Sequence, residues 1–361
     1  MTLSKTDIHW IPAHPAHGSM SMWKYWSMLD SVRLAQDFYQ PDCVYGEPGK
    51  VQLFRGSKWQ RGFTRKVSSP LAVRSRVRGG LAHILDHSWS DLTDFLPKSV
   101  QSVVTVHDLI PLRYAGELGS REVGRFKDRV SKLRSVDAII SVSKYTKNEI
   151  VERLGISEDR IYVVPNGVNL PPLNGVRGSR KPVDQLRVGS LGSVLMRKNL
   201  EVLAPAFKMY KEDSKRGVKL IRAGLPLSVP LKSALLNVLG EDGLEEWGRV
   251  SEEKLEDFYQ SIDVMVIPSL YEGFGLPVLE AMARGIPVIS SDATSLPEVG
   301  ADAALYFDPL SPESLSECLL KLEDVDLYEK LRCDGLLRSQ QFSWRRTLEG
   351  IYTVYDEVLA L

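Results

Sequence analysis

The sequence predicts an α/β protein of two doubly wound domains, each a parallel sheet covered by helices, and three observations carry that reading. The chain has 361 residues, and at roughly 100–200 residues per domain this is enough for two separate cores. Short apolar runs alternate with amphipathic stretches along most of its length, the pattern of a parallel sheet with crossover helices. The alternation breaks once, in the proline- and glycine-rich NGVNLPPLNGVRGSRKPVDQ, and then resumes. The expected division is residues 1–170, a linker at 171–185, a second domain at 186–343 and a terminal helix at 344–361.

In the first domain DIHWIP, LAHILDHS, SVVTVHDLIP, DAIISVS and RIYVVPNGV read as strands. Helical spacing appears in MSMWKYWSMLDSVRLA and in KYTKNEIVERLG, the latter with Ser143 as N-cap and Gly155 as its stop. The second domain opens with strand LRVGSLG and helix KNLEVLAPAFKMYKED, followed by strand VKLIRAG. Helix EEKLEDFYQSI leads into strand DVMVIPS, and the short helix PVLEAMARG, with Pro277 in its first turn and Gly285 past its end, leads into strand IPVISSD. The last helix, WRRTLEGIYTVYDEVLAL, is long and amphipathic. No fixed repeat runs through the chain, which excludes solenoids and propellers.

Composition excludes several classes. A chain that is 43% hydrophobic and 25% charged is an ordinary globular protein. No apolar run approaches a membrane span, and MTLSKTDIHWIP has no signal-peptide core, so a cytoplasmic protein is expected. Cys43, Cys318 and Cys333 stand far apart without ligand spacing, which argues against disulfides and zinc. No metal and no nucleic-acid partner are expected. The net charge of zero hides an asymmetry: residues 1–175 carry 24 Lys and Arg against 17 Asp and Glu, and the remainder 22 against 29. All six histidines fall at or before His107. Such halves suit domains with different tasks.

The segment with most chemistry is PSLYEGFGLPVLEAMARGIPVISSD, residues 268–292. It sets Glu272 and Glu280 around a glycine-bearing turn at a strand-to-helix junction, where open α/β sheets bind ligands. A helix starting near Leu276 aims unpaired N–H groups at that junction, and Gly273 and Gly275 let an anion approach the backbone. A diphosphate fits there. Glu272 at the turn is placed to accept hydrogen bonds from sugar hydroxyls, and Glu280 to reach a diol such as ribose. The alternative is a capped surface helix with two solvated glutamates, which the glycines, prolines and strand context disfavour.

This segment resembles the E-x7-E signature of the retaining glycosyltransferases of family 4, which have the GT-B architecture of two Rossmann-like domains. GSVLMRKNLEVLAPAF, WGRVSEEKLEDFYQSIDVMVIPS, SDATSLPEVGADAALYFDP, VHDLIPLRY and VVPNGV resemble further landmarks of that family in the same order, covering roughly residues 100–310. The resemblance implies an acceptor-binding first domain, a donor-binding second domain and a last helix that packs back on the first. It implies a nucleotide diphosphate sugar as donor, with Lys198 and Arg197 neutralising its diphosphate, Glu272 on the transferred sugar and Glu280 on the ribose. Gly192 and Ser193 close the first strand of the donor domain, although many relatives carry an arginine where Ser193 stands. Gly273, Phe274, Gly275 and Leu276 form the phosphate-facing turn. In the first domain, Gly18 and Ser19 occupy the place of a glycine-rich loop, while His107 and Asp108 would meet the donor sugar or the acceptor. A hydrogen-bonded core histidine is the alternative for His107. The implied mechanism is metal-independent: the departing diphosphate oxygen takes the acceptor's proton on the same face of the sugar, and Lys198 and Arg197 stabilise the leaving charge.

The RKN-type start of the donor domain and the HDL landmark resemble members that transfer mannose in surface-polysaccharide assembly, so GDP-mannose is the expected donor and a UDP-hexose (glucose or GlcNAc) the alternative. A glycan or polyprenyl-diphosphate-linked acceptor is expected. Between Glu47 and Asp86 no acidic residue occurs, yet Lys50, Arg55, Lys58, Arg61, Arg65, Lys66, Arg74, Arg76 and Arg78 do, interleaved with Phe54, Trp59 and Phe63. Such a segment suits peripheral contact with an anionic membrane, at on the order of 1 kcal/mol per basic group, or an anionic acceptor, or a solvated face. A nicotinamide dehydrogenase lacks its G-x-G-x-x-G here, and a phosphate-loop NTPase its G-x4-G-K-[ST]. A catalytically silent scaffold of the same fold is disfavoured by the intact Glu272, Glu280 and Lys198. The pair Asp324 and Asp326 lies in a helical stretch and reads as a solvated face, not a metal site.

Overall fold

A computed structural model describes residues 8–17, 20–34, 40–46, 56–117, 119–171, 176, 178 and 184–360. Gly18, Ser19, Lys50, Phe54 and Arg55 lie outside the described residues. The chain divides into two compact units, one running to Gly167 and resuming at Trp344, the other spanning Val168–Ser343.

The first unit comprises β1 (Ile8–Ile11), α1 (Met20–Leu34), β2 (Asp42–Cys43), α2 (Lys58–Phe63), α3 (Ser69–Arg76), β3 (Leu81–Ile84), β4 (Gln101–Val106), α4 (Ile110–Arg113), α5 (Ser120–Val130), β5 (Ala138–Ser141), α6 (Lys144–Leu154) and β6 (Ile161–Val163). Its strands form a parallel six-stranded sheet ordered β2-β1-β3-β4-β5-β6. Both faces are covered, so β3 and β5 are buried at every position, the mark of a parallel sheet. Ile8, Trp10, Val103 and Ile140 face one core, while Ile11, Val104 and Ile139, on the alternate positions, face the other. Helix α6 is bounded as its sequence implies: Ser143 accepts from the Thr146 N–H, and Gly155 takes the left-handed conformation at φ 62°.

The second unit contains β7 (Gln185–Gly192), α7 (Leu203–Asp213), β8 (Gly217–Gly224), α8 (Val229–Leu239), β9 (Leu244–Gly248), α9 (Glu252–Ser261), β10 (Val264–Ile267), α10 (Leu276–Met282), β11 (Val288–Ser291), α11 (Leu296–Gly300), β12 (Leu305–Phe307), α12 (Pro312–Lys321) and α13 (Val325–Ser339). Its sheet is also parallel and six-stranded, in the order β12-β11-β10-β7-β8-β9. Strand order reverses between β7 and β10, and the C-terminal ends of strands at such a switch point are where open α/β sheets bind ligands. Helix α7 starts later than its apolar pattern suggests, because Asn199 is left-handed (φ 51°) and short 3-10 turns precede it. Asp324 is the N-cap of α13, accepting from the Asp326 and Leu327 N–H groups, so the Asp-x-Asp pair serves a helix start.

Helix α14 (Trp344–Ala360) belongs to the first unit. Its buried Trp344, Leu348, Ile351, Tyr355 and Val358 join Ile8, Trp10, Val103 and Ile140 in one core, packed with Tyr25, Trp26 and Leu29 of α1. Tyr355 fixes the register: its hydroxyl accepts from Trp10 Nε1 at 2.9 Å and lies 2.5 Å from His83 Nδ1, while His83 Nε2 lies 2.7 Å from Thr105 Oγ1. Burial holds His83 down to about 3, so its ring is neutral, takes the tyrosine proton's hydrogen bond at Nδ1 and donates to Thr105 from Nε2.

Candidate functional site

The second unit concentrates its chemistry at the switch point. Strand β7 ends at Gly192, whose φ of 125° suits glycine alone, and the chain passes through Ser193 and a 3-10 turn at Met196–Lys198. Strand β10 ends nearby and runs into the turn carrying Ser269 and Glu272. Asn199 ties the two loops together, its side-chain amide donating to the carbonyls of Pro268 (3.0 Å) and Pro309 (2.7 Å), while the Leu270 N–H donates to the Arg197 carbonyl.

That framework brings Lys198 and Glu272 together. Lys198 Nζ donates to Glu272 Oε1 at 2.5 Å, and Ser269 Oγ donates to the same oxygen at 2.7 Å. Both side chains are mostly buried, 18% and 13% exposed, so the pair sits at the wall of a recess rather than in bulk water. Burial pushes the Glu272 carboxyl up, but the Lys198 ammonium, the two hydrogen bonds and the charge of Arg197 outweigh it, and the group is held below its ordinary value. The recess is lined by Ser190, Leu191, Lys198, Ser269, Glu272 and Pro277 among others.

Backbone geometry holds the turn after Glu272. The Glu272 N–H donates to Thr294 Oγ1, and Ser295 Oγ lies within hydrogen-bonding distance of the carbonyls of Glu272 (2.9 Å) and Phe274 (2.8 Å). Thr294 is itself left-handed at φ 58°, a strained conformation for a β-branched residue of the kind that collects at functional sites. Gly273 and Phe274 are buried, and Phe274 packs edge-on against Phe342. Gly275 has φ 110°, and a Cβ there would meet Leu296 Cδ2 at 2.8 Å, so the turn requires glycine. Helix α10 begins at Leu276 without a side-chain cap. It is only seven residues long, so local N–H groups, rather than a long macrodipole, are what it offers an anion.

Glu280 lies on α10 and accepts from the Tyr259 hydroxyl at 2.9 Å. Tyr259 is fully buried, and burial together with the Glu280 charge keeps its phenol well above the ordinary value, so it stays a donor. Arg284 stacks over the Tyr259 ring at 4.5 Å and donates to the Glu280 carbonyl and to Glu256. Near Ser193, where many relatives carry an arginine, an arginine from another strand is found. Arg222, 2% exposed and coming from β8, donates to the carbonyls of Gly192 (2.9 Å), Ser193 and Leu225. Asn199, Thr294, Ser295, Tyr259 and Arg222 carry no signal in the sequence because each acts through a contact with a residue far away in the chain, whereas Ser269 reaches Glu272 from three positions before it.

In the first unit the strand order reverses between β1 and β3. The end of β1 carries His14 and His17, which pack edge-on against Tyr45 and Trp89. Burial and the neighbouring Arg65 bring His17 down to about 4. Past the adjacent β4, His107 is 7% exposed, its Nε2 donates to the Leu85 carbonyl at 2.8 Å, and its ring lies edge-on to Tyr25. Burial lowers its pKa, so the imidazole is neutral. It is thus a hydrogen-bonded core histidine. Asp108 is half-buried and accepts from the Ile110 N–H, bracing α4. Gly18 falls outside the described residues. Among the described residues no group of three His, Cys, Asp or Glu side chains converges as a metal site would require.

Fold and site together define an α/β protein with a Lys198–Glu272 pair in a recess at the switch point of its second sheet. The family models agree: that of the glycosyl transferases group 1 matches residues 176–333, and that of glycosyltransferase family 4 matches residues 34–171. The O-antigen chain mannosyltransferase B of Escherichia coli is 30% identical over 281 residues, covering 72% of this chain and 72% of that protein. The serotype-specific mannosyltransferase WbdA of Escherichia coli is 28% identical over 265 residues, 68% of this chain but 32% of that protein, so the chain spans about a third of that relative's length. The structure of sucrose-phosphate synthase from Thermosynechococcus elongatus has the same fold, with a TM-score of 0.73 over 98% of this chain and 99% of that one at 20% identity. The chain belongs to glycosyltransferase family 4, with the GT-B fold.

Proposed function

We propose that the chain is a retaining hexosyltransferase that moves mannose from GDP-mannose to a glycan or polyprenyl-diphosphate-linked acceptor in polysaccharide assembly. The observation that carries this is the Lys198–Glu272 pair at the switch point of the second sheet, reached from loops 74 positions apart in sequence. The choice of mannose is supported by two similar proteins that are named mannosyltransferases.

In this reading Lys198, with Arg197 beside it, meets the donor diphosphate, and the N–H groups of Gly275 and Leu276 bind its oxygens. Glu272 accepts from hydroxyls of the transferred sugar, and Glu280 from the ribose. Gly192 and Ser193 form the floor, and Gly273 and Phe274 shape the turn. The bond from the sugar's anomeric carbon to the diphosphate oxygen breaks as the acceptor oxygen bonds to the same face of that carbon. The acceptor proton passes to the departing oxygen, so charge and atoms balance without a metal ion. His107 and Asp108 serve the sugar or the acceptor. The protein works on the cytoplasmic side, with the basic segment 50–78 in peripheral contact with an anionic membrane.

A thermal-shift screen against GDP-, UDP-, ADP- and dTDP-sugars tests the donor, since a ligand that binds only the folded chain raises Tm in step with its saturation. GDP-mannose should give the largest shift; a larger one with a UDP-sugar replaces mannose by glucose or GlcNAc. Proton NMR of the product reads the anomeric configuration, and transfer in excess EDTA reads the need for metal. If no donor releases its nucleotide, the chain is a silent scaffold.

A further inference from the structure

Residues 58–76 form one continuous helical rod, α2 and α3 joined through a π turn at Thr64–Ser68. Its inner side is ordinary: Thr64, Ser69, Pro70 and Val73 are buried. Its outer side is not. Trp59 is 74% exposed, Phe63 46%, Val67 38% and Leu71 60%. These four stand at a constant spacing of four residues. In an unbroken α-helix each four-residue step overshoots a full turn by about 40°, so the stripe would wind away round the rod. The π turn carries more residues per turn, and a step through it reverses part of that drift. The four side chains therefore stay near one line.

The rod itself carries charges of one sign only. Lys58, Lys66, Arg74, Arg76 and Arg78 are exposed, and the sequence has no acidic residue between Glu47 and Asp86. Arg65 turns inward to Asp91 at 2.7 Å and over the Trp89 ring, while Arg61 donates to the Gly56 carbonyl, Arg76 donates to the Cys43 carbonyl and Arg74 lies over the Phe95 ring. Trp59 and Phe63 stack with ring centroids 5.5 Å apart, and among the described residues they present an exposed aromatic surface.

We propose that this face is a docking surface for an anionic lipid bilayer, with Trp59, Phe63, Val67 and Leu71 entering the interface and the flanking lysines and arginines meeting lipid phosphates. Apolar side chains at the acyl boundary and cations at the headgroups are the two halves of such binding, and here they lie on the same helix. The proposal rests on the reading of segment 50–78 as a membrane contact and says which side chains make it.

The test is co-sedimentation of the full chain with vesicles of phosphatidylcholine alone and of phosphatidylcholine with phosphatidylglycerol, alongside nucleotide release from the donor. The wild type should sediment with the anionic vesicles only, and less so at high salt. The doubles Trp59→Ser/Phe63→Ser and Lys58→Glu/Lys66→Glu should each weaken sedimentation by at least about tenfold with nucleotide release unchanged. Loss in the charge double but not in the aromatic double overturns the stripe and leaves the basic segment as the contact. A wild type that stays in the supernatant, or that is held by dextran sulfate but not by vesicles, overturns both. Nucleotide release absent from a chain that still sediments as described counts against the transferase reading alone and sustains this one.

Discussion

Lys198 Nζ and Glu272 Oε1 share a 2.5 Å ion pair, which closes a loop-to-loop contact between the ends of β7 and β10. Removing one member leaves the other charge mostly buried and unpaired, whereas removing both leaves nothing to strand. Lys198→Met should therefore lower thermal stability more than Lys198→Met/Glu272→Gln does. Glu272→Gln should cost about 10²–10³-fold in transfer if the carboxylate acts on the sugar. Thermal melts and initial rates of the three variants check both statements; equal melts for single and double would remove the coupling.

Tyr259 is predicted to act through Glu280. Tyr259→Phe keeps the ring under Arg284 but deletes the 2.9 Å hydrogen bond to the carboxylate. Stability should fall by about 1.5–3 kcal/mol, the range for a hydrogen bond to a charged group. KM for the donor should rise with kcat held, because a ribose contact is made equally in the bound and transition states. An unchanged KM would mean that Glu280 does not depend on the phenol.

Stability should decline as the solution is acidified, and His83 is one of the groups responsible. Its folded pKa is lowered to about 3, so between its ordinary value near 6.5 and that point the unfolded chain binds a proton which the folded chain refuses. The sign follows: the contribution of His83 is full above about 6.5 and falls by up to about 1.4 kcal/mol per pH unit below it, and His14, His17 and His107, also held low, add to the slope in the same direction. Glu272, also held low, acts in the same direction but only from the carboxylate range downward. Urea unfolding at several pH values reads the slope, and His83→Gln should flatten its upper part.

Gly224 should tolerate no side chain. At φ 140° it abuts β7 so closely that a Cβ would lie 1.9 Å from the Gly192 carbonyl oxygen. Gly155 is a control with φ 62° and open space around it. Gly155→Ala should cost about 1–2 kcal/mol for the left-handed backbone alone, and Gly224→Ala markedly more, with loss of donor binding because the Gly192 turn must shift. Tm values of the two variants decide.

What the sequence made legible follows from burial. Strands such as VMVI and VISS are apolar runs cut off by proline, glycine or serine, and both are buried throughout. Edge elements were not legible: β2 is two residues long, and β9, LEEWG, is half-exposed along its length with two glutamates in it. The rod at 58–76 escaped as a helix because its large apolar residues point outward and a π turn interrupts the usual period. At the site, the Glu272–Glu280 spacing is local and readable. Asn199 is not, since its two acceptors are the carbonyls of Pro268 and Pro309, which no local pattern announces. Ser193 shows the same limit: Arg222 reaches the Gly192 and Ser193 carbonyls from the neighbouring strand, a pairing that only the sheet order creates.

The place of α14 bears on how the chain is made. Residues 344–360 leave the ribosome after all of residues 168–343, yet they cover Ile8, Trp10, Val103 and Ile140 of the first sheet. Domains ordinarily fold in the order of their synthesis. Here the unit begun first is completed last, and for as long as translation of the second unit takes, one apolar face of a finished sheet waits for its lid. A nascent chain stalled before Trp344 would present that face to every neighbour, which makes this stretch of synthesis the interval in which aggregation and chaperone capture compete.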